Sequence, residues 1–163
     1  MIQIIEEGEK LQISDLEALE ATIGKRLPEA YRQFLLAHNG GRPVPAIIDI
    51  DDSPENATVV HVLLGVTGPF ESETLGWSWG AFQCRIPERL LPIADDPFGN
   101  LFCLSLACDD EGQVLFLDRY EEPSMGPHFV AKDFNAFLAK LRPMNETERA
   151  LSPTPSCNPN ESI

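Results

Sequence analysis

An amphipathic helix is predicted close to the start of the chain. The segment Ser14 to Glu17 has the S-x-x-E form, in which the Ser and Glu side chains accept hydrogen bonds from each other's free backbone N–H groups. Leu16, Leu19 and Ile23 then recur at the spacing of one helical face. Gly24 can adopt the left-handed conformation that ends a helix. The pattern therefore predicts a short helix with one buried face.

A second helix is predicted directly after the first. Pro28 suits the first helical position, because the N–H that proline lacks would have no intrahelical partner there. Apolar residues follow at helical spacing, at Tyr31, Phe34 and Leu35, and the segment Asn39 to Gly41 ends the pattern. Two helices joined by so short a connection are typical of an antiparallel helical hairpin.

Beyond this hairpin the pattern changes to short runs rich in β-branched residues. The runs Ala46 to Ile50 and Thr58 to Leu64 predict two strands, and the acidic segment Asp51 to Pro54 predicts a turn between them. Trp77 and Trp79 then alternate with small residues, which fits either a strand edge or a helix start. On a strand both indoles would lie on one side, either packed in the core or exposed as anchors for a partner.

The clearest β pattern lies in the second half of the chain. Strands are predicted at Leu90 to Ala94, Leu101 to Leu106 and Val114 to Leu117, joined by acidic turns that contain glycine. Phe129 and Val130 predict a short last strand. Consecutive strands with turns of this kind predict an antiparallel meander.

A closing helix follows the strands. Its apolar stripe is Phe134, Phe137, Leu138 and Leu141. The helix must end before Pro143, because proline disfavours helical geometry in the residue that precedes it. Helices before and after the strands indicate an α+β fold, with an N-terminal helical hairpin, a central, mainly antiparallel β-sheet and a closing C-terminal helix.

The last 21 residues have a different composition. The segment from Pro143 to Ile163 contains four prolines and only scattered apolar side chains. Such a segment cannot bury enough apolar surface to order itself, so it predicts a disordered, Pro-rich tail. The sequence therefore indicates one domain over residues 1–142 and a tail over residues 143–163.

The acid excess narrows the classes of partner. The 163 residues are 43% hydrophobic, which is enough to form a core, and they carry 26 acidic against 12 basic side chains, a formal charge of −14. Such a field repels phosphate backbones and anionic membranes, so we expect no direct binding to nucleic acid or membrane. The chain start has neither the basic nor the apolar region of a signal peptide, and no apolar run reaches the ~18 residues of a spanning helix. We expect a soluble, cytoplasmic protein.

No motif predicts an enzyme. The chain lacks a G-x-S-x-G nucleophile turn and a phosphate-binding glycine loop, and its histidines, His38, His61 and His128, each fit a structural position. The four cysteines lack the CxxC or Cys/His spacing of zinc sites, so reduced thiols are expected. We therefore expect no catalytic residues, no cofactor and no metal.

One acidic segment could suggest a cation-binding loop. Asp95, Asp96 and Asn100 carry suitable oxygen ligands, but the Pro-Phe dipeptide between them interrupts the alternate-residue spacing that an EF-hand requires. A turn that begins at an aspartate and uses Gly99 for a positive φ explains the same residues. The turn is therefore the favoured interpretation.

Acidic turns are instead candidates for partner binding. Turns of one meander can lie at a common end of the sheet, where their carboxylates would attract a basic partner. Exposed tryptophans could add desolvated anchors. The candidates are Asp49, Asp51, Asp52 and Glu55 in the first turn, Asp95 and Asp96 in the second, Asp109, Asp110 and Glu111 in the third, and the pair Trp77 and Trp79. The alternative interpretation is a solvated acidic surface that keeps the protein soluble.

Four stretches of the chain, taken in order, resemble the SMI1/KNR4 family of the SUKH superfamily. They are LPEAYRQFLLAHNGG at 27–41, LPIADDPFGNLFCLSL at 91–106, GQVLFLD at 112–118 and FNAFLAKL at 134–141. Together with the first predicted helix, the resemblance covers about 130 residues from Ile13 to Leu141. It agrees with the α+β fold that the residue pattern predicts.

The resemblance implies a non-enzymatic protein-binding module. Bacterial members of this family are largely immunity proteins, which bind and neutralise a partner toxin of a contact-dependent or polymorphic toxin system, and these toxins are frequently nucleases. Fungal relatives regulate cell-wall synthesis through protein partners. Two functions are therefore expected, an immunity protein with a basic toxin domain as its partner, or a regulatory scaffold.

Overall fold

The structure, a computed structural model, describes residues 1–151. The helices are α1 (Ile13–Ile23), α2 (Glu29–His38), α3 (Leu75–Phe82), α4 (Phe134–Ala139) and α5 (Glu146–Leu151), with a 3-10 turn at Glu71–Glu73. The strands are β1 (Gln3–Ile5), β2 (Arg42–Val44), β3 (Ile47–Ile50), β4 (Ser53–Val59), β5 (Val62–Leu63), β6 (Leu90–Asp95), β7 (Leu101–Ser105), β8 (Val114–Leu117) and β9 (His128–Ala131). The predicted α+β fold is confirmed.

The central element is a five-stranded sheet in the order β5-β6-β7-β8-β9, and every neighbouring pair in it is antiparallel. Strands β6 to β9 are the predicted meander. Two further antiparallel pairs stand beside this sheet, β1 with β2 and β3 with β4. The edge strands of the sheet are therefore β5, with two residues, and β9, with four residues.

The main core lies between the helices and one face of the sheet. Alternate residues of the strands point into it, as the period of two along a strand requires. Its sheet-side members include Leu91, Ile93, Phe102, Leu104, Val114 and Phe116, and its helical members include Leu16, Leu35, Phe134 and Phe137. A smaller cluster of Leu90, Leu101 and Cys103 covers part of the opposite face. The sheet and the helices α1, α2 and α4 bury their apolar side chains against each other, and this packing fixes the position of the sheet relative to these helices.

Helix α1 has the predicted end but not the predicted start. Gly24 is left-handed, with a φ of 81°, and its N–H donates to the carbonyl of Glu20. The residue before the helix is Gln12, whose backbone N–H donates to the carboxylate of Asp15 over 2.8 Å. The prediction that Ser14 caps the helix is therefore wrong. Asp15 accepts the free N–H two residues earlier than the S-x-x-E pattern suggested.

Asn39 joins the end of α2 to the loop after β5. This residue is left-handed and 2% exposed, and its Nδ2 donates to the Glu9 carbonyl over 2.8 Å. Its Oδ1 accepts from the Val66 N–H over 2.8 Å, and Nδ2 also reaches the Thr67 hydroxyl over 3.0 Å. Gly40 follows with a φ of 82°, and a Cβ there would clash with the backbone of residues 63 and 65. The end of α2 therefore needs Asn39 for its hydrogen bonds and Gly40 for the close approach of the backbone after β5.

The β3–β4 hairpin is tighter than the sequence predicted. Asp51 and Asp52 have φ values of 54° and 55°, the positive values of a two-residue type I′ turn, and Ile50 is directly opposite Ser53. Aspartate tolerates this left-handed geometry better than most residues. Strand β4 therefore starts at Ser53, and the prediction of a four-residue turn with a strand from Thr58 is wrong.

The tryptophan segment is helical. Helix α3 begins after Thr74, whose hydroxyl accepts a hydrogen bond from the Trp77 N–H over 3.4 Å. Residues two apart on a helix point about 200° apart, so Trp77 and Trp79 cannot lie on one side. Trp77 is exposed, whereas Trp79 is half-buried against the main core. The expectation that both indoles lie on one side holds only for a strand and is wrong here.

A short helix lies within the segment for which the sequence predicted disorder. Helix α5 is held by Arg142, whose guanidinium bonds the Asp49 carboxylate on β3 and the Glu148 carboxylate on α5, with shortest distances of 2.6 and 2.7 Å. The hydrogen bonds from Arg142 and from the Asn145 N–H lower the pKa of Glu148 to about 2. The rest of the predicted tail, residues 152–163, lies outside the described residues.

Candidate functional site

The alternation of strand direction separates the acidic turns. In an antiparallel meander, successive connections lie at opposite ends of the sheet. The β6–β7 turn, with Asp95 and Asp96, shares one end with the β8–β9 connection at residues 118–127. The β7–β8 turn, with Asp109 to Glu111, lies at the other end. The expectation of one common end is therefore wrong for the third acidic turn.

The third turn has local partners of its own. Asp110 accepts a hydrogen bond from the Ser105 hydroxyl over 2.6 Å, and Glu111 forms an ion pair with Lys25 at 3.1 Å. Asp109 is exposed. Two of the three acidic side chains therefore connect parts of the fold, although Glu111, like Asp109, is exposed.

The two aspartates of the β6–β7 turn differ in their surroundings. Asp96 is 3% exposed, and its carboxylate accepts hydrogen bonds from the backbone N–H groups of Phe98 and Asn100, from the Asn100 amide and from the Thr58 hydroxyl, at 2.8 to 3.0 Å. Asp95 is half-buried, and its Oδ1 lies 3.4 Å from Nδ1 of His61. Burial raises the pKa of Asp95. The hydrogen bonds to Asp96 therefore fix the conformation of the turn, and Asp96 is the aspartate that begins it.

Most acidic side chains of the β3–β4 hairpin are paired with cations. Asp49 bonds Arg142, as described above, and Asp52 lies 2.5 Å from Nζ of Lys140. Asp51 lies 3.0 Å from Nδ1 of His128. Glu55 is exposed. Asp49 and Asp52 thus attach the hairpin to the C-terminal segment, whereas Asp51 faces the end of the sheet.

Acidic residues from three connections meet at that end and line a cavity of about 280 Å³, here called the acidic pocket. Asp51 comes from the β3–β4 turn, Asp96 from the β6–β7 turn, and Asp118 and Glu121 from the β8–β9 connection. His128 is the only basic side chain among the described residues of its lining. Even with His128 protonated, these groups carry three more negative than positive charges. The pocket therefore concentrates negative potential at one end of the sheet.

His128 connects two walls of the acidic pocket. Its Nδ1 lies 3.0 Å from the Asp51 carboxylate and its Nε2 lies 2.7 Å from the Glu121 carboxylate. Both ring nitrogens can donate only in the protonated imidazolium. The hydrogen bond to Glu121, followed by the charge of Asp51, raises the pKa of His128. The bridge thus holds the β3–β4 hairpin against the β8–β9 connection.

Exposed aromatic side chains stand beside the acidic pocket. Phe98 is 72% exposed at the tip of the β6–β7 turn, and Tyr120 is 81% exposed on the β8–β9 connection. The Tyr120 hydroxyl donates to the Phe98 carbonyl over 3.3 Å, and the Arg119 guanidinium donates to the Gly99 carbonyl over 3.3 Å. These contacts join the two connections. Sequence reasoning missed Phe98, Asp118, Tyr120 and Glu121, although the alternation of hairpin turns would have placed 118–127 beside the second acidic turn.

The remaining histidine and cysteine side chains that the structure describes stand apart from the acidic pocket. No group of three or more His, Cys, Asp or Glu in residues 1–151 is arranged to hold a metal ion. Cys103 is buried, which raises its thiol pKa and keeps it protonated, and Cys84 and Cys108 are exposed free thiols; Cys157 lies outside the described residues. His38 pairs with Glu7 at 2.8 Å. The acidic pocket is thus suited to bind cations by charge.

The fold and this site define a class of protein. Residues 10–140 match the SMI1/KNR4 family (SUKH-1), and the chain belongs to that family. Proteins of this family are generally non-enzymatic and generally bind partner proteins. The chain is also similar to the SPbeta prophage-derived uncharacterized protein YokK of Bacillus subtilis (strain 168), with 24% identity over 143 residues, which cover 77% of this chain and 72% of the relative. Within residues 1–151, every helix falls short of the length and apolar character needed to cross a bilayer.

Proposed function

We propose that this protein is a cytoplasmic, non-enzymatic immunity protein that neutralises a toxin by binding it. Family membership supports a protein partner, and similarity to a prophage-derived protein fits a genetic element that carries such systems. The observation that carries the proposal is the acidic pocket, where carboxylates from three connections meet beside exposed aromatic side chains. The expected partner is therefore a toxin domain with a basic surface.

The charge of the pocket supports a nuclease as the toxin. An enzyme that cuts nucleic acid carries Lys and Arg where the phosphates dock. An acidic surface can occupy those cations in place of the nucleic acid, and the attraction between opposite fields speeds the encounter. Of the pocket residues, Asp118 is half-exposed and Asp51 and Glu121 are exposed, so these three can face a partner directly.

The proposal predicts that a toxin is encoded beside the gene for this protein, and it is tested by co-expression with the products of the neighbouring genes. The immunity function requires that this protein restores growth of cells that express the toxin, and that the two proteins elute together from a sizing column. Growth that is not restored, together with an absent complex, contradicts the proposal. Restored growth without a complex would point instead to a regulatory function, which is the alternative that the sequence left open.

The role of the acidic pocket is tested by the association rate. Asp118→Asn keeps the side-chain shape and the acceptor for the Tyr120 N–H, but it removes one pocket charge. We expect it to slow association several-fold at low salt and to weaken the salt dependence. Asp109→Asn removes an exposed charge at the opposite end of the sheet and serves as the matched control. Equal effects of both variants contradict a role for this particular pocket.

A further inference from the structure

An apolar groove adjoins the acidic pocket. The groove has a volume of about 530 Å³, and Ile47, Val59 and Phe98 are among the residues that line it. It shares Ala57, Thr58 and Phe98 with the acidic pocket, so the two depressions adjoin at β4 and at the β6–β7 turn. One side of the molecule therefore presents a strongly acidic site and an apolar site next to each other.

Phe98 stands where the two depressions meet, and its backbone is fixed. Its N–H donates to the Asp96 carboxylate over 2.9 Å and its carbonyl accepts from the Tyr120 hydroxyl. Gly99, with a φ of 83°, closes the turn through a backbone hydrogen bond to Asp96. An exposed phenyl ring on a rigid turn loses little entropy when a partner covers it. This is the arrangement expected of an anchor residue in an interface.

We propose that the acidic pocket and the apolar groove together bind one extended segment of the partner protein, in which Lys or Arg stands next to a large apolar side chain. The inference rests on the proposed function and adds the place and the chemistry of contact. The cationic side chain enters the acidic pocket beside Asp118 and Glu121, and the apolar side chain covers Phe98.

The dimensions of the two depressions support this occupant. A cavity of about 280 Å³ is at the lower limit of small-molecule sites, so the acidic pocket suits one long side chain. The excess of three negative charges selects a cation for it. The adjoining groove is lined mainly by apolar side chains, with Thr58 and Glu148 as its polar members, and this lining favours an apolar neighbour in the same segment.

The test uses the full-length protein and three short fluorescein-labelled peptides. The first carries consecutive arginines next to two leucines, the second has serines in place of the leucines, and the third has glutamines in place of the arginines. Fluorescence anisotropy measures each dissociation constant at low and at physiological salt. We expect the first peptide to bind at least about 10-fold more tightly than either of the others, because only it fills both depressions.

Two matched pairs of variants locate the binding site. Phe98→Ala should weaken binding of the first peptide about 10-fold and leave the serine peptide unchanged, whereas Trp77→Ala, which removes another exposed aromatic side chain, should have no effect. Asp118→Asn should weaken both arginine peptides, and Asp109→Asn neither. No binding of the first peptide, equal binding of all three peptides, or insensitivity to Phe98→Ala overturns the inference.

A photoreactive benzoylphenylalanine in place of Phe98 identifies the occupant of the groove directly. In the presence of the first peptide, a cross-link to the leucine end of that peptide supports the inference. A cross-link to residues 152–163 of the same chain, or to a second copy of the protein, overturns it. If growth is restored in the toxin assay but the first peptide does not bind, the proposed function stands and this site is rejected. If the first peptide binds as expected but growth is not restored and no complex forms, the function is rejected and the site stands.

Discussion

Replacement of Asp96 by alanine should destabilise the protein by about 3–5 kcal/mol. The carboxylate accepts four hydrogen bonds, and each bond to a charged group contributes roughly 1.5–3 kcal/mol. The contributions do not add fully, because two of them come from Asn100. The Phe98 N–H and the Thr58 hydroxyl can find water after the change, whereas Asn100 is buried and would lose its partner. The two Asn100 bonds therefore dominate the expected loss.

The neighbouring Asp95 provides the control. Its ion pair with His61 is partly exposed, and such pairs contribute about 0–1 kcal/mol. Because burial raises its pKa, folding does not favour its ionised form. Asp95→Ala should therefore change the free energy of unfolding by less than about 1 kcal/mol at neutral pH.

The measurement is urea denaturation at pH 7, monitored by tryptophan fluorescence. The urea concentrations at the unfolding midpoint are compared between variants that have the same dependence of the free energy of unfolding on urea. A loss below about 1 kcal/mol for Asp96→Ala, or equal losses for the two variants, would refute the assignment of Asp96 as the residue that fixes the turn. Circular dichroism at zero urea shows whether each variant is folded before the titration begins.

Three further predictions concern other contacts. Asn39→Ala should cost about 2–4 kcal/mol, measured by urea denaturation, because it leaves the Glu9 carbonyl and the Val66 N–H unpaired; a loss under about 1 kcal/mol contradicts this. Folding raises the pKa of His128, so the protonated side chain stabilises the fold, fully so below the unfolded pKa of about 6.5. The free energy of unfolding of the wild type, minus that of His128→Gln, should therefore fall as the pH rises through the folded pKa. A difference that stays constant between pH 5 and 9 rejects the bridge. Arg142→Gln should return the pKa of Glu148 from about 2 towards 4.3 and speed hydrogen exchange in α5; an unshifted pKa by NMR titration means that Arg142 does not set it.

The sequence predicted those elements whose signals are local. The stripes of α1, α2 and α4 and the short apolar runs of β6 to β8 are complete within a few residues, and the structure confirms them. Helix α3 has no such signal, since the two tryptophans between glycines lie two residues apart, which is the period of a strand and defines no helical stripe. Helix α5 begins with a local capping box between Asn145 and Glu148, but its position depends on Arg142, which bonds Asp49 from far earlier in the chain. At the β3–β4 turn, Ser53 and Pro54 have turn-forming side chains, but Asp51 and Asp52 complete the turn and Ser53 already begins β4.

The acidic character of the site was predictable, but its membership was not. Charge and turn residues can be read along the chain, whereas the end of the sheet on which each turn lies follows from strand order. The third acidic turn, Asp109 to Glu111, therefore lies at the other end, whereas Asp118 and Glu121 belong to the site without a local sign in the sequence. The partner-binding role of the predicted residues stays a prediction. The structure adds that Asp49, Asp96 and Asp110 have partners within the fold.

The β8–β9 connection can change in sequence without a change in the strands that flank it. Residues 119–125 are all exposed, and β8 and β9 remain paired on either side of them. Exchange of this stretch for that of a relative would therefore leave the paired strands in place while it replaces part of the proposed contact surface. Under the proposed function, divergence between relatives can proceed by loop replacement, and chimaeras made at positions 118 and 127 test whether specificity moves with this segment.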